Sequence, residues 1–576
     1  EYTIDDYPQN MRDLRPRSLY SSPWKPGWWR LGDAVAYMET ASLSVIEYAS
    51  KYKDSLLLNR YKAARDQIAR GKSEPPYAYV IPRDQRDPLA PVEMLRRLAF
   101  GGVRVLQLTA EASIDGQTYP AGTWVIPTDQ EFAAIAREVL DLQQYPDLRQ
   151  YPGGPPERPY DAAGWTLPLQ MGVTIARAAT PLSDDVRQKL ALLGTSAGRT
   201  RAWPYANASP WLPPSVGRPT PYVSSSQTDA APFDSVPGVG FDSNAVAAAI
   251  VPPPGRVSGE GPALSLDPAQ NNTFRALNQA WKQGGAVSFD ASTHRYLVTG
   301  LPEPAQSAMV KSLALAAQRV AQGGSEIRRP RIGLYDPWSG NMDAGWTRWV
   351  LEQYGFEFVT LRPADFHGPL ADKVDVIVFA DGATPPVAGG AGGGRGGGGR
   401  GGGAGRQVRP EYADPGMSEQ DVAAFDSFVR GGGTVVCLNN ASGFAIQRLK
   451  LPVKNAVSGL RPEEFFLRGS IVEVTGDRAS QVMAGTSDQT AIFVDGSPAF
   501  ETLEGFNGTV LARYKDTGSP LLSGYLIGEK YLQGKAAALD VQLDRGRVVL
   551  LGFRPQWRGQ PFGTFKVLFN ALLLAK

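Results

Sequence analysis

Residues 431–442 read GGGTVVCLNNAS, and Thr434–Leu438 within them form a short, mostly apolar run. Three glycines precede the run and two asparagines follow it. A run of this length with turn residues on both sides is typical of a strand buried on both faces of a parallel sheet. It predicts an α/β sheet with Asn439 and Asn440 at the carboxyl end of one strand.

The run holds Cys437, the one cysteine of the chain. A nucleophile elbow is a strained strand-to-helix turn with small residues two positions either side of the nucleophile. Those positions are Val435 and Asn439, and the elbow position itself falls nearer Asn439. A catalytic thiol also needs a base, and both histidines, His294 and His367, precede the run. We predict a buried structural thiol.

The segments around this run alternate between strand and helix patterns. The predicted strands are RIGLY, FEFVTL, DVIVFADG and TVVCLNN, and the predicted helices are AGWTRWVLEQYG, SEQDVAAFDSFVRGGG and GTFKVLFNALLLA. Alternation of this kind predicts a doubly wound parallel sheet in a domain spanning 326–576. After Gly469 the pattern becomes richer in strands.

Residues 73–325 carry a weak internal repeat. AYVIP, a loop, a helix and two strands recur as ALSLD, a loop, TFRALNQAWKQGG, AVSFD and RYLVTG. Gln85 and Gln270 both lie in the loop after the first strand of each copy. This order predicts an α/β domain with two repeated β-α-β units, separated by a Pro- and Ser-rich segment that we expect to be irregular.

Residues 1–72 begin with an aromatic, proline-rich loop. From Asp33 onward a long helix is predicted, because apolar residues recur near the helical period and Gly71 and Pro75 end the pattern. These apolar residues are Val35, Met38, Leu43, Ile46, Ala49 and Tyr52. We expect Trp28 and Trp29 to pack against this helix or a neighbouring domain.

Composition excludes several classes of protein. Of 576 residues 42% are hydrophobic, and 59 basic residues nearly balance 57 acidic ones. The formal net charge of +2 gives no reason to expect nucleic acid or a membrane as a partner.

The glycine-rich tract 389–406 lacks the lysine of a phosphate-binding loop and the aromatic residues of an RNA-binding segment. We expect a flexible loop there.

A candidate site lies at the carboxyl ends of the predicted parallel strands, where open α/β sheets bind ligands. Its residues are Asp336, Trp338, Asn341, Asn439, Asn440, Arg554, Trp557 and Arg558. The arginines could bind an anion or a peptide carboxylate. Alternatively these residues fix loops and domain interfaces, the interpretation that we favour. We predict no catalytic residue and no metal site, because neither histidine has the spacing of a zinc ligand.

The stretch SPWKPGWWRLGDAVAYMETASLSVIEYASKYKDSLLLNRY resembles the end of the catalytic domain in large bacterial zinc carboxypeptidases of the carboxypeptidase A-like family. YVIPRDQRDP, YPAGTWVIP, QYPDLR and PYDAAGWTLPLQMGV resemble their C-terminal extension. Residues 331–576, with FVRGGGTVV and GFRPQWRGQPFGTFKVLFNALLL, resemble class I glutamine amidotransferases. The expected fold there is therefore a flavodoxin- or amidotransferase-like sheet.

The resemblance implies a partner and a cofactor outside the chain. It places the zinc site in an upstream catalytic domain, so residues 1–72 would be the tail of that domain and this chain would hold no cofactor. It also implies a peptide substrate and a secreted or periplasmic setting. The family's Cys–His–Glu amidotransferase machinery has no counterpart here. The first residue, Glu1, is in keeping with the back part of a larger protein.

Three hypotheses of function follow. The leading one is a C-terminal accessory part of a secreted zinc carboxypeptidase, with a structural or substrate-recognition role. The second is a stand-alone peptide- or glycan-binding module or scaffold. The third is an amidotransferase-like hydrolase that uses the rim of the sheet.

Overall fold

The computed structural model describes residues 1–18, 20–152, 154–193, 243–321, 323–387 and 416–575. The described chain is a mixed α/β, multi-domain protein with several sheets. Residues 1–66 belong to one compact unit, and the described residues from Gln67 onward form another. The predicted glycine-rich loop 389–406 and most of the predicted irregular segment lie outside the described residues.

The unit formed by residues 1–66 contains most of a long helix, α1 (Leu31–Ser73), whose backbone departs from helical geometry at Tyr52. Trp29 packs against Tyr37 of this helix with ring centroids 5.2 Å apart, whereas Trp28 is 59% exposed. No described residue of 1–66 is buried. No helix among the described residues is long and apolar enough to cross a membrane.

The next region folds around a five-stranded sheet in the order β6-β1-β5-β2-β7. Its elements are β1 (Ala78–Ile81), α2 (Ala90–Phe100), β2 (Leu106–Leu108), the hairpin β3 (Ala112–Ile114) and β4 (Gln117–Tyr119), β5 (Trp124–Pro127), α3 (Ala133–Leu140), α4 (Leu167–Met171), β6 (Ala176–Ala178), α5 (Asp184–Gln188) and β7 (Leu190–Leu192).

A second sheet follows in the order β13-β10-β11-β9-β12-β8. Its elements are α6 (Ser243–Ala249), β8 (Arg256–Gly259), β9 (Ala263–Leu266), α7 (Asn272–Lys282), β10 (Ala286–Asp290), β11 (Arg295–Thr299), α8 (Glu303–Ser312), β12 (Ala316–Val320) and β13 (Ser325–Ile327).

These two sheets contain the same arrangement. In the first, β1 has β6 on one side and β5 then β2 on the other; in the second, β9 has β12 on one side and β11 then β10 on the other. All of these neighbours pair antiparallel. The two parallel strands of each predicted β-α-β unit are therefore separated by a third strand, which is the split β-α-β arrangement.

The two glutamines identified in the sequence make matching contacts. The amide of Gln85 donates to the carbonyl oxygen of Thr174 and accepts from its backbone N–H, both at 2.9 Å. Gln270 makes the same pair of bonds with Ala316, at 2.9 and 2.8 Å. Each glutamine thus ties the loop after the first strand of its unit to the chain at or just before the start of β6 or β12.

The third region has one large sheet. Its elements are β14 (Ile332–Tyr335), α9 (Met342–Gln353), β15 (Phe358–Leu361), α10 (Leu370–Lys373), β16 (Val376–Phe379), α11 (Glu419–Arg430), β17 (Thr434–Leu438), α12 (Ser442–Arg448), β18 (Val453–Asn455), β19 (Phe466–Leu467), β20 (Ser470–Gly476), β21 (Gln489–Val494), β22 (Phe500–Thr502), β23 (Gly508–Arg513), β24 (Leu521–Ser523), β25 (Leu526–Ile527), β26 (Ala536–Leu543), β27 (Gly546–Leu551) and α13 (Phe562–Leu572).

Strands β15, β14, β16, β17 and β27 pair in parallel in that order. Beyond β27 the main path of the sheet continues through β26, β23, β20 and β21 with antiparallel pairing. All parallel strands therefore end at one edge, where the loops after β14, β16, β17 and β27 come together. This edge positions the candidate site.

Cys437 lies within β17, opposite Phe379 of β16 and Leu550 of β27. Its side chain is fully buried in an apolar cluster. Burial raises the pKa of the Cys437 thiol, because the thiolate would lose its hydration. The structure therefore makes Cys437 a core residue.

We expect the Cys437 thiol to react slowly with a thiol-specific probe at neutral pH in the native protein and rapidly in denaturant. Cys437→Ala should lower the free energy of unfolding by about 1 kcal/mol. Cys437→Ser should lower it further, because it buries a hydroxyl group among apolar side chains. Rapid stoichiometric labelling of native protein would contradict this burial.

Candidate functional site

The carboxyl edge of the parallel strands is organised around Asp381, which follows β16. Its carboxylate accepts hydrogen bonds from the Asn439 side-chain amide at 3.0 Å and from the backbone N–H of Asn440 at 3.2 Å. Its carbonyl oxygen accepts from the Asn341 side chain at 3.1 Å. One aspartate thereby joins three sequence-predicted site residues, contributed by two different loops.

Arg554, in the loop after β27, lies among three carboxylates. Its guanidinium contacts Asp381, and it lies 3.3 Å from carboxylate oxygens of both Asp343 and Asp495. We call these four residues the Arg554 cluster. The Arg554 side chain is 16% exposed, and that of Asp381 is 9% exposed. The guanidinium therefore neutralises buried charge belonging to the protein itself.

Asp343, the second residue of α9, is the member of the Arg554 cluster whose pKa is raised. Burial raises the pKa of Asp343 to about 6. The positive charge of Arg554 opposes this rise, and the negative charges of Asp381 and Asp495 add to it. With three carboxylates and one guanidinium, the cluster carries excess negative charge whenever all three aspartates are ionised.

Asn439 occupies a sharp turn between β17 and α12. It is fully buried and has a left-handed backbone, with φ of +53°. Asparagine is one of the few residues that adopt this region readily. Its side-chain amide donates to Asp381 and, at 3.3 Å, to the carbonyl oxygen of Asp495. The turn is therefore held from two neighbouring loops.

Asp336 and Trp338 form a separate group after β14. Arg362 donates to the carbonyl oxygen of Asp336 at 2.6 Å and lies 3.4 Å from its carboxylate. The same guanidinium stacks over the Trp338 ring, 4.4 Å from its centroid. These contacts fix the loop that leads into α9.

Trp557 and Arg558 lie further along the loop after β27. The Trp557 ring is stacked on Phe493 with centroids 3.7 Å apart, and the Arg558 guanidinium lies over Trp557 at 4.7 Å. Arg558 is exposed and has φ of +47°. It borders a cavity of about 580 Å³, which is also lined by Arg97, Met342, Gly345, Trp346, Trp349, Gly559 and Gln560.

Of the eight residues singled out in the sequence, the structure brings four into contact with Asp381, namely Asn341, Asn439, Asn440 and Arg554. Sequence reasoning left out Asp381 itself and the other carboxylates of the Arg554 cluster. Asp381 lies near the end of the predicted strand DVIVFADG, and Asp495 directly follows the apolar run AIFV. The rule that selected Asn439 applies to Asp381 as well. The contact of Asp381 with Arg554 joins residues 173 positions apart, and no local signal announces such a pair.

The two histidines lie far apart in the chain, in different regions of the fold. His367 pairs with Asp421 at 2.9 Å, and His294 lies in the turn between β10 and β11. Across the described parts of the chain, no group of three or more histidine, cysteine, aspartate or glutamate residues could hold a metal ion.

Comparison with known proteins gives little beyond this geometry. No protein-family model matches the chain, and no curated protein matches it either. A cytoplasmic protein from Salmonella typhimurium is 11% identical, with 43% of this chain and 98% of that chain covered and a TM-score of 0.26. The β-galactosidase from Bacillus circulans sp. alkalophilus is 10% identical over 44% and 31%, with a TM-score of 0.24. Likenesses this weak carry no argument.

We expect Arg554→Met to lower the free energy of unfolding by about 3 to 5 kcal/mol, because it leaves buried carboxylates without their counter-charge. Arg558→Met, in the same loop but exposed, should change it by less than about 0.5 kcal/mol. Urea unfolding at neutral pH measures both. Equal effects of the two substitutions would contradict the role assigned to Arg554.

The raised pKa of Asp343 predicts a pH dependence of stability. An unfolded aspartate titrates near 3.9, so between pH 4 and 6 the folded state binds more protons than the unfolded state. The contribution of Asp343 to stability therefore falls as pH rises from about 4 to about 6, and then levels off. In Asp343→Asn this fall should be smaller by about 3 kcal/mol. Asp336→Asn, on the same edge outside the cluster, is the control; identical pH profiles for Asp343→Asn and the unmodified protein would refute the assignment.

Proposed function

We propose that the chain is the C-terminal accessory part of a secreted or periplasmic zinc carboxypeptidase, with a role in structure and substrate recognition. In this proposal peptide hydrolysis belongs to an upstream catalytic domain, which carries the zinc ion and is the chain's own partner. Residues 1–72 are then the end of that domain, residues 73–325 an α/β domain, and residues 326–576 an amidotransferase-like domain without catalytic function.

The observation that carries the non-catalytic role is Asn439. A strained turn between a parallel strand and a helix is where a nucleophile elbow presents its nucleophile. Here the turn holds an asparagine whose amide is engaged with Asp381 and the Asp495 backbone. Cys437 lies two residues earlier and is fully buried. These features support an amidotransferase-like scaffold that does not perform the reaction, and they weigh against the hydrolase hypothesis.

The strand order supports the fold part of the proposal. Taken in chain order, the parallel strands follow the pattern 2-1-3-4-5, as β15-β14-β16-β17-β27. This is the order of flavodoxin-like sheets, whose ligands lie at the switch point beside the first strand. The loops of Asn341 and Asp381 flank that point.

Helix α1 supports a partner surface. Thirteen of the twenty-eight exposed large hydrophobic side chains among the described residues lie on it, between Leu31 and Tyr61. A helix gains most of its stability from packing an apolar face, and apolar exposure on this scale marks an interaction surface. The resemblance to carboxypeptidases makes the upstream catalytic domain the proposed partner.

A stand-alone peptide- or glycan-binding module is the second candidate. The observation that favours it is the cavity beside Trp346 and Trp349, because aromatic walls suit both kinds of ligand. It differs from the first candidate in needing no catalytic domain.

We expect the chain, expressed as residues 1–576, to release no C-terminal amino acid from peptides, with or without added zinc. The physical reason is that, within the described part of the chain, neither His294 nor His367 is part of a ligand group. Amino-acid release is measured with and without a chelator. Stoichiometric zinc together with chelator-sensitive hydrolysis would overturn the proposal.

The coding sequence upstream of Glu1 decides between the two candidates. A His-x-x-Glu motif with a later histidine supports the accessory role. In that longer protein, amides of residues 31–66 should exchange with solvent more slowly than in the present chain. Absence of such a motif, or unchanged exchange in α1, would count against the proposal.

A further inference from the structure

We propose that Asn507 is a site of spontaneous covalent modification, at which the side-chain amide is lost and the main chain is rebuilt as isoaspartate. The reaction joins the side chain of Asn507 to the peptide nitrogen of Gly508, the first residue of β23. In the sheet, Gly508 lies opposite Val541 of β26. This chemistry goes beyond the accessory role proposed above and is independent of it.

The sequence offers four places for such a reaction. An asparagine or aspartate side chain reaches the next peptide nitrogen most easily when glycine follows, because glycine has no Cβ atom to hinder the approach. The chain has four pairs of this kind, and all lie within the described residues. They begin at Asp115, Asp381, Asp495 and Asn507.

Three of the four side chains are held in place by partners. The backbone N–H of Ala179 donates to the Asp115 carboxylate at 2.6 Å. The carboxylates of Asp381 and Asp495 both contact Arg554. A side chain fixed in this way cannot rotate to bring its Cγ atom to the next peptide nitrogen. An ionised carboxylate is also a poorer electrophile than an amide.

Asn507 is the fourth, and its side chain is free to rotate. It is exposed, and no hydrogen bond to its amide is found among the described residues. Residues 502–505, which precede it, are exposed as well. Only the main chain is anchored, because the Asn507 carbonyl oxygen accepts from the backbone N–H of Gln542 at 2.9 Å. The fold therefore leaves the one asparagine of the four able to react.

The register of β23 leaves the attacking nitrogen unpaired with β26. Hydrogen-bonded and non-hydrogen-bonded pairs alternate along antiparallel strands. The bond from Gln542 to the Asn507 carbonyl oxygen makes Gly508 and Val541 a non-hydrogen-bonded pair. The Gly508 N–H therefore points away from β26, towards the side on which β23 meets β20 only from Ala512 onward.

The sheet itself requires glycine after Asn507. A Cβ atom built at Gly508 would lie 2.1 Å from the carbonyl oxygen of Asp540, which is backbone and cannot move aside easily. The close packing of β23 on β26 thus excludes any larger residue. It thereby places the least hindered kind of peptide nitrogen next to an unbonded asparagine amide.

The reaction needs only water. The Gly508 nitrogen loses its proton to solvent and bonds to Cγ of Asn507. The bond between Cγ and Nδ2 then breaks, and the nitrogen leaves as ammonia after taking a proton from water. Water opens the resulting five-membered succinimide at either carbonyl. One opening gives aspartate, and the other gives isoaspartate, whose main chain runs through Cβ and Cγ.

Isoaspartate would loosen the start of β23. It lengthens the main chain by one carbon atom, and the carbonyl that accepts from Gln542 becomes part of a free carboxylate. The new negative charge also lies near Asp540, whose pKa is already raised by burial and which pairs with Arg547 at 3.2 Å. We therefore expect the first hydrogen bond between β23 and β26 to open more often in the converted protein.

The test incubates the full chain at 37 °C, at pH 5 and at pH 8, and follows each asparagine by peptide mass spectrometry. We expect Asn507 to lose its amide at least tenfold faster than Asn440, which is exposed but followed by alanine. The loss should be faster at pH 8, because the attacking nitrogen must first lose its proton. Methyl transfer by an isoaspartate-specific methyltransferase counts the rearranged product independently.

Asn507→Gln is the matched variant. It keeps an exposed amide, but its ring closure would form a six-membered ring, which is slow, so the isoaspartate count should fall at least tenfold. Converted protein is separated from unconverted protein by ion exchange. Its Gln542 amide should exchange with deuterium at least tenfold faster than that of Asn507→Gln incubated for the same time.

Three outcomes would overturn the assignment of Asn507: equal stability of Asn507 and Asn440 in the native protein, amide loss only after unfolding in urea, or as much isoaspartate in Asn507→Gln as in the unmodified protein. Unchanged exchange at Gln542 in converted protein would refute the loosening of β23. None of these results bears on the accessory role, because that role depends on the upstream zinc motif.

Discussion

The complete burial of α13 is the constraint on which the arrangement of the described residues from Gln67 onward depends. Every residue from Phe562 to Leu572 except Gly563 is buried, so elements from several sheets must surround the helix. Phe569 contacts Phe274 of the second region at 5.0 Å and Tyr354 of the third at 4.8 Å. A helix that is buried on all sides is typical of the centre of a large core.

The polar groups on α13 make this packing specific. Asn570 donates to the carbonyl oxygens of Val482 and Ala484 and accepts from the Tyr296 hydroxyl at 2.7 Å. Burial lowers the pKa of Lys566 to about 8, and its ammonium donates to backbone carbonyl oxygens of its own helix. Apolar contacts tolerate sliding, whereas buried hydrogen bonds left unmade are costly. The second and third regions of the chain are therefore fixed in position relative to each other.

Local sequence patterns predicted much of the fold but little of the candidate site. Apolar runs such as TVVCL located the parallel strands, because a strand covered on both faces has no choice but to be apolar. The repeat was visible through Gln85 and Gln270, since each copy needs the same amide in the same loop. The Arg554 cluster was not visible, because its four members lie far apart in sequence. For helix α1 the sequence predicted the element but not its contacts. The spacing of its apolar residues predicted a helix, but spacing alone does not tell what covers its apolar face.

Arg554 and Arg558 lie in the same loop, but Arg554 is buried and paired whereas Arg558 is exposed. Arg554 is held by Asp343, Asp381 and Asp495, so the start of the loop after β27 is fixed to the ends of neighbouring strands. A strained backbone persists only where its surroundings over-determine it. The anchored arginine and the Trp557–Phe493 stack provide those surroundings for Arg558, four residues later. The buried Arg554 is thus paired with carboxylates of the protein itself. Its anchoring holds the exposed Arg558 beside the cavity in a backbone conformation that an unanchored loop would not keep.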